Sequence, residues 1–244
     1  MTLDIILIGH RGFRQGGIIE NTYEAFDKAV ELGLDYIELD VHETRDGTVV
    51  VNHDGDVSRI YDGKGKIREL DFNTISELRT KEEGLEMPIL GSVLQRYRGK
   101  IKFMIELKGD FTPNPAFNMV HEDSLLEDTV FSSRRLDHLQ ELVQIHSEIV
   151  PEICLNITHC KEFTIDDLLA CKKKNDLPLN FKMISLRSTL VDQSFIDKCH
   201  ELGILALCWD FKSPGDPISL AKGLIKKGID GLLLDDPNMV DEIN

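Results

Sequence analysis

The sequence predicts one (β/α)8 TIM barrel, a single domain over residues 1–244, with a small insertion after the second strand at about 42–72. Three observations lead there. Eight short apolar runs rich in β-branched residues recur along the chain, and amphipathic stretches fall between most of them. Strand and helix in alternation argue a parallel α/β fold, and eight such units in roughly 250 residues are the size of a barrel. The rival, an open doubly wound sheet, would carry G-x-G-x-x-G after its first strand, and Gly12, Gly16 and Gly17 do not have that spacing. No internal repeat or linker divides the chain.

The first run is Asp4–Ile8. A helix follows, opened by Asn21-Thr22, apolar at Phe26, Ala29, Val30 and Leu32, and ended by Gly33. The second run is Tyr36–Val41, after which Arg45-Asp46-Gly47 turns the chain into a hairpin strand, Thr48–Asn52. Residues 54–72 are rich in Gly and Asp and read as irregular, with short helices at 74–79 and 91–98. The third barrel run is Ile101–Leu107. Pro113, Asn114 and Pro115 then break the chain, leaving only Ala116–Leu126 for a helix. The remaining runs are Thr129–Ser133, Glu152–Ile157, Phe181–Leu186, Ile204–Trp209 and Asp230–Leu234. The helices between them are Arg135–Ile145, Ile165–Lys174, Gln193–Leu202 and Ile218–Lys227.

Composition narrows the class. With 28 basic and 43 acidic residues the net charge is −15, a field that repels nucleic acid and anionic membranes. No stretch approaches the roughly 18 apolar residues of a membrane span, and the N-terminus lacks the basic region of a signal peptide. Neither nucleic acid nor stable membrane association is expected. The five cysteines are odd in number and no pair is spaced C-x-x-C, so reduced thiols in a cytoplasmic protein are the expectation.

In a barrel, chemistry gathers where strands end. Glu38 and Asp40 are two apart and share a strand face, as do Glu106 and Lys108. Carboxylates aimed into a barrel cannot stay charged without partners. Three of them, with only Lys108 and Arg11 to balance them, point to one bound divalent cation. All-oxygen ligation favours Mg2+ or Ca2+. His10 and His53 follow the first run and the hairpin strand, and can exchange protons near pH 7. Arg11 and Lys108 suit a phosphate. Together these groups describe phosphoryl transfer at a diester.

His10-Arg11-Gly12, Glu20-Asn21-Thr22, Glu38-Leu39-Asp40, Asp46-Gly47 with a following apolar strand and His53-Asp54, and Glu106-Leu107-Lys108 occur in this order over the first 108 residues. The set resembles the glycerophosphodiester phosphodiesterase family. That resemblance implies a small-molecule glycerophosphodiester as substrate, with glycerol 3-phosphate and an alcohol as products. It implies Glu38, Asp40 and Glu106 as metal ligands and His10 and His53 as general acid and base. Arg11 and Lys108 would bind phosphate, and Trp209 would pack on the substrate. The implied route is attack by a substrate hydroxyl beside the phosphate, then opening of a cyclic phosphate by water. The chain departs from the family pattern at Ile19, where proline is usual, and at Asp210-Phe211 after Trp209.

Two rival functions keep the site: a lysophospholipase D activity, which needs an apolar groove from residues 54–72 and 109–128, and a non-catalytic phosphodiester-binding barrel. Trp209 is the chain's one tryptophan, and its ring is expected either to offer a π-face to a choline ammonium, with Asp210 as a further acidic contact, or to pack only on the glycerol moiety. Glu20 is expected either to support the metal ligands from behind or to help cap the first helix with Asn21 and Thr22, and Asp235-Asp236 to close the barrel by salt bridges or orient Arg11. Lys172–Lys174 read as a solvated helix end. His42, His121, His138, His146, His159 and His200 read as surface or packing residues.

Overall fold

The computed structural model describes residues 5–110, 112–146, 148–211 and 215–243. Its strands are β1 (Ile6–Gly9), β2 (Tyr36–Glu43), β3 (Val49–Val51), β4 (Lys102–Leu107), β5 (Thr129–Ser133), β6 (Glu152–Asn156), β7 (Met183–Arg187), β8 (Leu205–Trp209) and β9 (Gly231–Leu234). All pair in parallel except β3, and β1 pairs with both β9 and β2, so eight strands close a TIM barrel. The hairpin strand β3 runs antiparallel on the end of β2, Val41 facing Val51. Asp4, placed in the first run from sequence, lies outside the described residues.

The helices are α1 (Tyr23–Glu31), α2 (Phe72–Ser76), α3 (Leu90–Tyr97), α4 (Pro113–Glu122), α5 (Leu136–Ile145), α6 (Ile165–Ala170), α7 (Gln193–Glu201), α8 (Pro217–Lys227) and α9 (Asn238–Ile243). Among the described residues none is long and apolar enough to cross a membrane. Alternate residues of each strand face opposite ways and build two cores. Ile37, Leu39, Val41, Phe103, Ile105 and Leu107 face outward and pack with the helices. Ile8, Tyr36, Met104, Val130, Cys154, Met183, Leu207 and Leu233 fill the lumen. The inward residues above Tyr36 are Glu38 and Asp40, and above Met104 is Glu106. Register sets Asp40 beside Glu106.

Three expectations are corrected. Pro113 and Pro115 open α4 rather than break it, because the first turn of a helix has unpaired N–H groups that proline lacks anyway. The helix expected over 165–174 ends at Ala170, and Lys174–Asp176 forms a separate 3-10 turn held by Asp176 accepting from Lys172 N–H and Lys173 N–H. The segment after β3 is irregular but has its own core of Val50, Val57, Tyr61, Ile67, Ile75 and Met87, which carries the insertion past residue 72.

Backbone contacts at the first strand end are tight. A Cβ on Gly12, at φ +73°, would lie 2.6 Å from the carbonyl carbon of Ala25, whereas one on Gly17, at φ +79°, would meet nothing within 4 Å. Each position carries the ~1–2 kcal/mol cost of a left-handed L-residue. Gly17→Ala should therefore lose about that much stability, and Gly12→Ala clearly more. Equal losses in denaturant titration would contradict the close approach of α1 to this turn.

Candidate active site

The ends of β1, β2 and β4 meet in a cavity of about 220 Å³, lined by His10, Arg11, Glu38, His53, Glu106 and Lys108 among others. Glu38, Asp40 and Glu106 each bring one carboxylate oxygen within 4.8 Å of the others, and all three are buried. Arg11, in the left-handed region at φ 57°, donates its N–H to Glu38 Oε2 at 2.7 Å. Asn21 holds Asp40 from both sides, donating Nδ2 to Oδ2 at 2.9 Å and accepting the Asp40 N–H at 3.2 Å.

Cations are shared among these acids. Lys108 Nζ donates to Glu106 Oε1 at 2.8 Å and lies 3.1 Å from Asp40 Oδ1. Arg11 reaches Asp40 at 3.3 Å and Glu20 at 2.9 Å. Burial pushes Asp40 up, but Lys108 and Arg11 together outweigh it and hold its carboxyl well below the usual range. Glu38 goes the other way: burial, then Asp40 and Glu106, push it well above that range. Its Oε1 is buried with no hydrogen-bond partner among the described residues. A buried carboxylate oxygen in want of a positive partner, flanked by two more carboxylates, fits a divalent cation.

His10 and His53 are each anchored through Nδ1. His10 Nδ1 lies 2.8 Å from Asp235 Oδ1, a fully buried carboxylate that Arg14 Nε also engages. Burial pushes Asp235 up, but His10 and Arg14 hold it well below the ordinary aspartate range. Asp235 thus orients His10 and not Arg11, because it follows β9, the neighbour of β1. His53 Nδ1 lies 2.7 Å from Asp54 Oδ1. Burial lowers His53, with Lys108 and Arg11 adding to it against Asp40. Asp54 pairs with Arg59, which donates to Glu20 at 2.6 Å, so Glu20 links Arg11 to the His53 side. Thr22 caps α1, accepting from the Ala25 N–H at 3.3 Å, and Glu20 takes no part in the cap.

The cavity's far wall corrects the sequence reading. Arg134, Asn156, His159, Ser185 and Trp209 line it, and sequence reasoning singled out only Trp209. The Arg187 guanidinium stands 5.0 Å from the centre of the Trp209 ring and 3.3 Å from Asp210, where a choline ammonium and its acidic contact were expected. The cause is register: Arg187 and Trp209 are partners across β7 and β8. His159, read as surface or packing, is exposed, as that reading has it, and lies 5.8 Å from the same ring.

Asp235→Asn should cost about 3–5 kcal/mol at pH 7, the usual cost of breaking a buried charge pair. A carboxyl depressed in the folded state stabilises it fully above the unfolded value near 4, and this is lost as pH falls from there. The gap between wild type and variant should therefore narrow below about pH 4. A gap independent of pH in chemical denaturation would contradict the His10–Asp235–Arg14 linkage.

A Bacillus subtilis (strain 168) protein named as a candidate glycerophosphodiester phosphodiesterase is 28% identical over 244 residues, covering 96% of each chain. A glycerophosphodiester phosphodiesterase from Agrobacterium tumefaciens superposes with a TM-score of 0.80 at 23% identity, covering 98% of each chain. An Oleispira antarctica phosphodiesterase, solved with the product sn-glycerol-3-phosphate, superposes with a TM-score of 0.77 at 21% identity, covering 97% of this chain and 95% of that one. The model of the glycerophosphoryl diester phosphodiesterase family matches residues 10–239, and the chain belongs to that family.

Proposed function

We propose that this chain hydrolyses glycerophosphodiesters to glycerol 3-phosphate and an alcohol, with His10 and His53 as the acid–base pair and one divalent cation at Glu38, Asp40 and Glu106. Family membership supports the reaction, and the product bound to the Oleispira relative supports its direction. The observation that carries the site is the convergence of both histidines with Glu38 and Glu106 on one cavity, Asp40 completing the carboxylate cluster beside it.

Arg11 and Lys108 border the carboxylates and hold the phosphate beside them. Glu38, Asp40 and Glu106 would hold a divalent cation, Mg2+ or Ca2+, which when bound would supply charge stabilisation to the phosphoryl group. One histidine takes the proton of the hydroxyl that attacks phosphorus, and the other gives a proton to the departing alcohol oxygen as its P–O bond breaks. Burial, which lowers His53, suits it to the first task. Asp235, which holds His10 at Nδ1, orients the imidazole for the second. When the attacking hydroxyl belongs to the substrate, a cyclic phosphate forms and water opens it with the two roles exchanged.

His10→Ala and His53→Ala should each lower kcat by about 10²–10⁴-fold, the worth of general acid–base catalysis, with a much smaller change in KM. The double variant should fall far short of the product of the two losses, since the residues act as a unit. Release of glycerol 3-phosphate from glycerophosphodiesters in the presence of Mg2+ or Ca2+ reads both. Near-normal turnover in either single variant would remove that histidine from the reaction.

A further inference from the structure

The wall built by the ends of β5–β8 has no part in the acid–base chemistry, and its charged groups are guanidinium groups, set among the polar side chains of Ser132, Asn156 and Ser185. Arg11 and Lys108 are each engaged by two carboxylates. Arg134 has a single long contact with the cavity's acids, Nε to Glu106 Oε1 at 3.6 Å, and its side chain is 41% exposed. Trp209 Nε1 is buried with no hydrogen-bond partner among the described residues, and an indole N–H can only donate. Asn156 Oδ1 beside them is buried and unpartnered too, and its amide offers donors if turned over. Arg187, paired with Asp210 at 3.3 Å, adds a second guanidinium over the Trp209 ring. Burial, then Arg134 and Arg187, lower His159, as a cationic surrounding does.

Donors without acceptors need an acceptor from the ligand. A quaternary or primary ammonium offers none and is repelled by Arg134 and Arg187. A carboxylate or phosphate satisfies the donors and is attracted.

We propose that this wall receives an anionic group carried by the leaving alcohol, so that the enzyme prefers glycerophosphodiesters of anionic alcohols to choline and ethanolamine esters, with Arg134 as the residue that reads the charge. This rests on the hydrolase reading above.

Two matched pairs test it. Glycerophosphoserine differs from glycerophosphoethanolamine by one carboxylate. Glycerophosphoglycerol 3′-phosphate differs from glycerophosphoglycerol by one phosphate. The anionic member of at least one pair should have a kcat/KM higher by about tenfold or more, the worth of a charge-assisted hydrogen bond, and the responding pair identifies the anion. Arg134→Gln should shrink that ratio to about twofold or less, and Arg134→Lys should keep part of it, as retained charge without the planar fork allows. Equal rates within both pairs, or a ratio that survives in Arg134→Gln, would overturn the proposal. Failure to hydrolyse any of the four compounds overturns the hydrolase reading instead. The same four are then titrated against the fluorescence of Trp209, the single tryptophan. Tighter binding of an anionic member, lost in Arg134→Gln, supports the wall, and equal binding overturns it.

Discussion

Three carboxylates buried side by side at the mouth of a barrel constrain everything around them. Glu38, Asp40 and Glu106 are 2%, 0% and 7% exposed, with oxygens no more than 4.8 Å apart. At that separation two like charges repel by about 3–4 kcal/mol even at an effective dielectric near 20. Lys108 and Arg11 offset part of this, but Asp40 takes contacts from both and Arg11 is shared with Glu20. The remainder falls on Glu38, whose free oxygen has nothing to meet. A divalent cation is the economical answer in a fold whose lumen below is sealed by Tyr36 and Met104.

The same acids hold the backbone of the turn after β1 that carries His10. Arg11 and Asn21 both adopt the left-handed region that L-residues avoid. Arg11 is held there by its N–H to Glu38, and Asn21 by its side chain on Asp40 and its N–H donating to Arg11 O at 2.9 Å. Strain in the turn after β1 is thus offset by hydrogen bonds to the cluster that the turn encloses. His10 is fixed from the opposite side by Asp235, so two neighbouring strand ends determine one imidazole. His53 is fixed through Asp54, Arg59 and Glu20, a chain of charges that returns to Arg11.

Strand parity made much of this legible from sequence. Glu38-x-Asp40 and Glu106-x-Lys108 each share a face because side chains alternate along a strand, and the barrel followed from eight runs with helices between. What periodicity does not carry is which distant loops converge across a closed sheet. Arg134 stands beside Arg135 in the chain, yet Arg135 turns outward to Asp110 and Asp137 while Arg134 turns to Glu106. His159 lies in a 3-10 turn after β6, with no pattern to mark it. The neighbour of Trp209 was equally hidden, because cross-strand register, invisible in the sequence, places Arg187 over the ring. The two prolines of α4 misled because proline breaks a helix interior but fits a first turn.

The carboxylate cluster accounts for loop geometry, charge balance and site at once, and cation-dependent stability tests it most directly. A ligand that binds only the folded chain raises its melting temperature in step with concentration. Thermal unfolding of the metal-stripped protein, titrated with Mg2+ and Ca2+, should show a rising Tm with at least one of them. Glu38→Gln, which removes the charge without changing the shape of the side chain, should abolish that rise and melt no lower than the metal-stripped wild type. A Tm indifferent to both cations, or a rise of equal size in Glu38→Gln, would contradict the account.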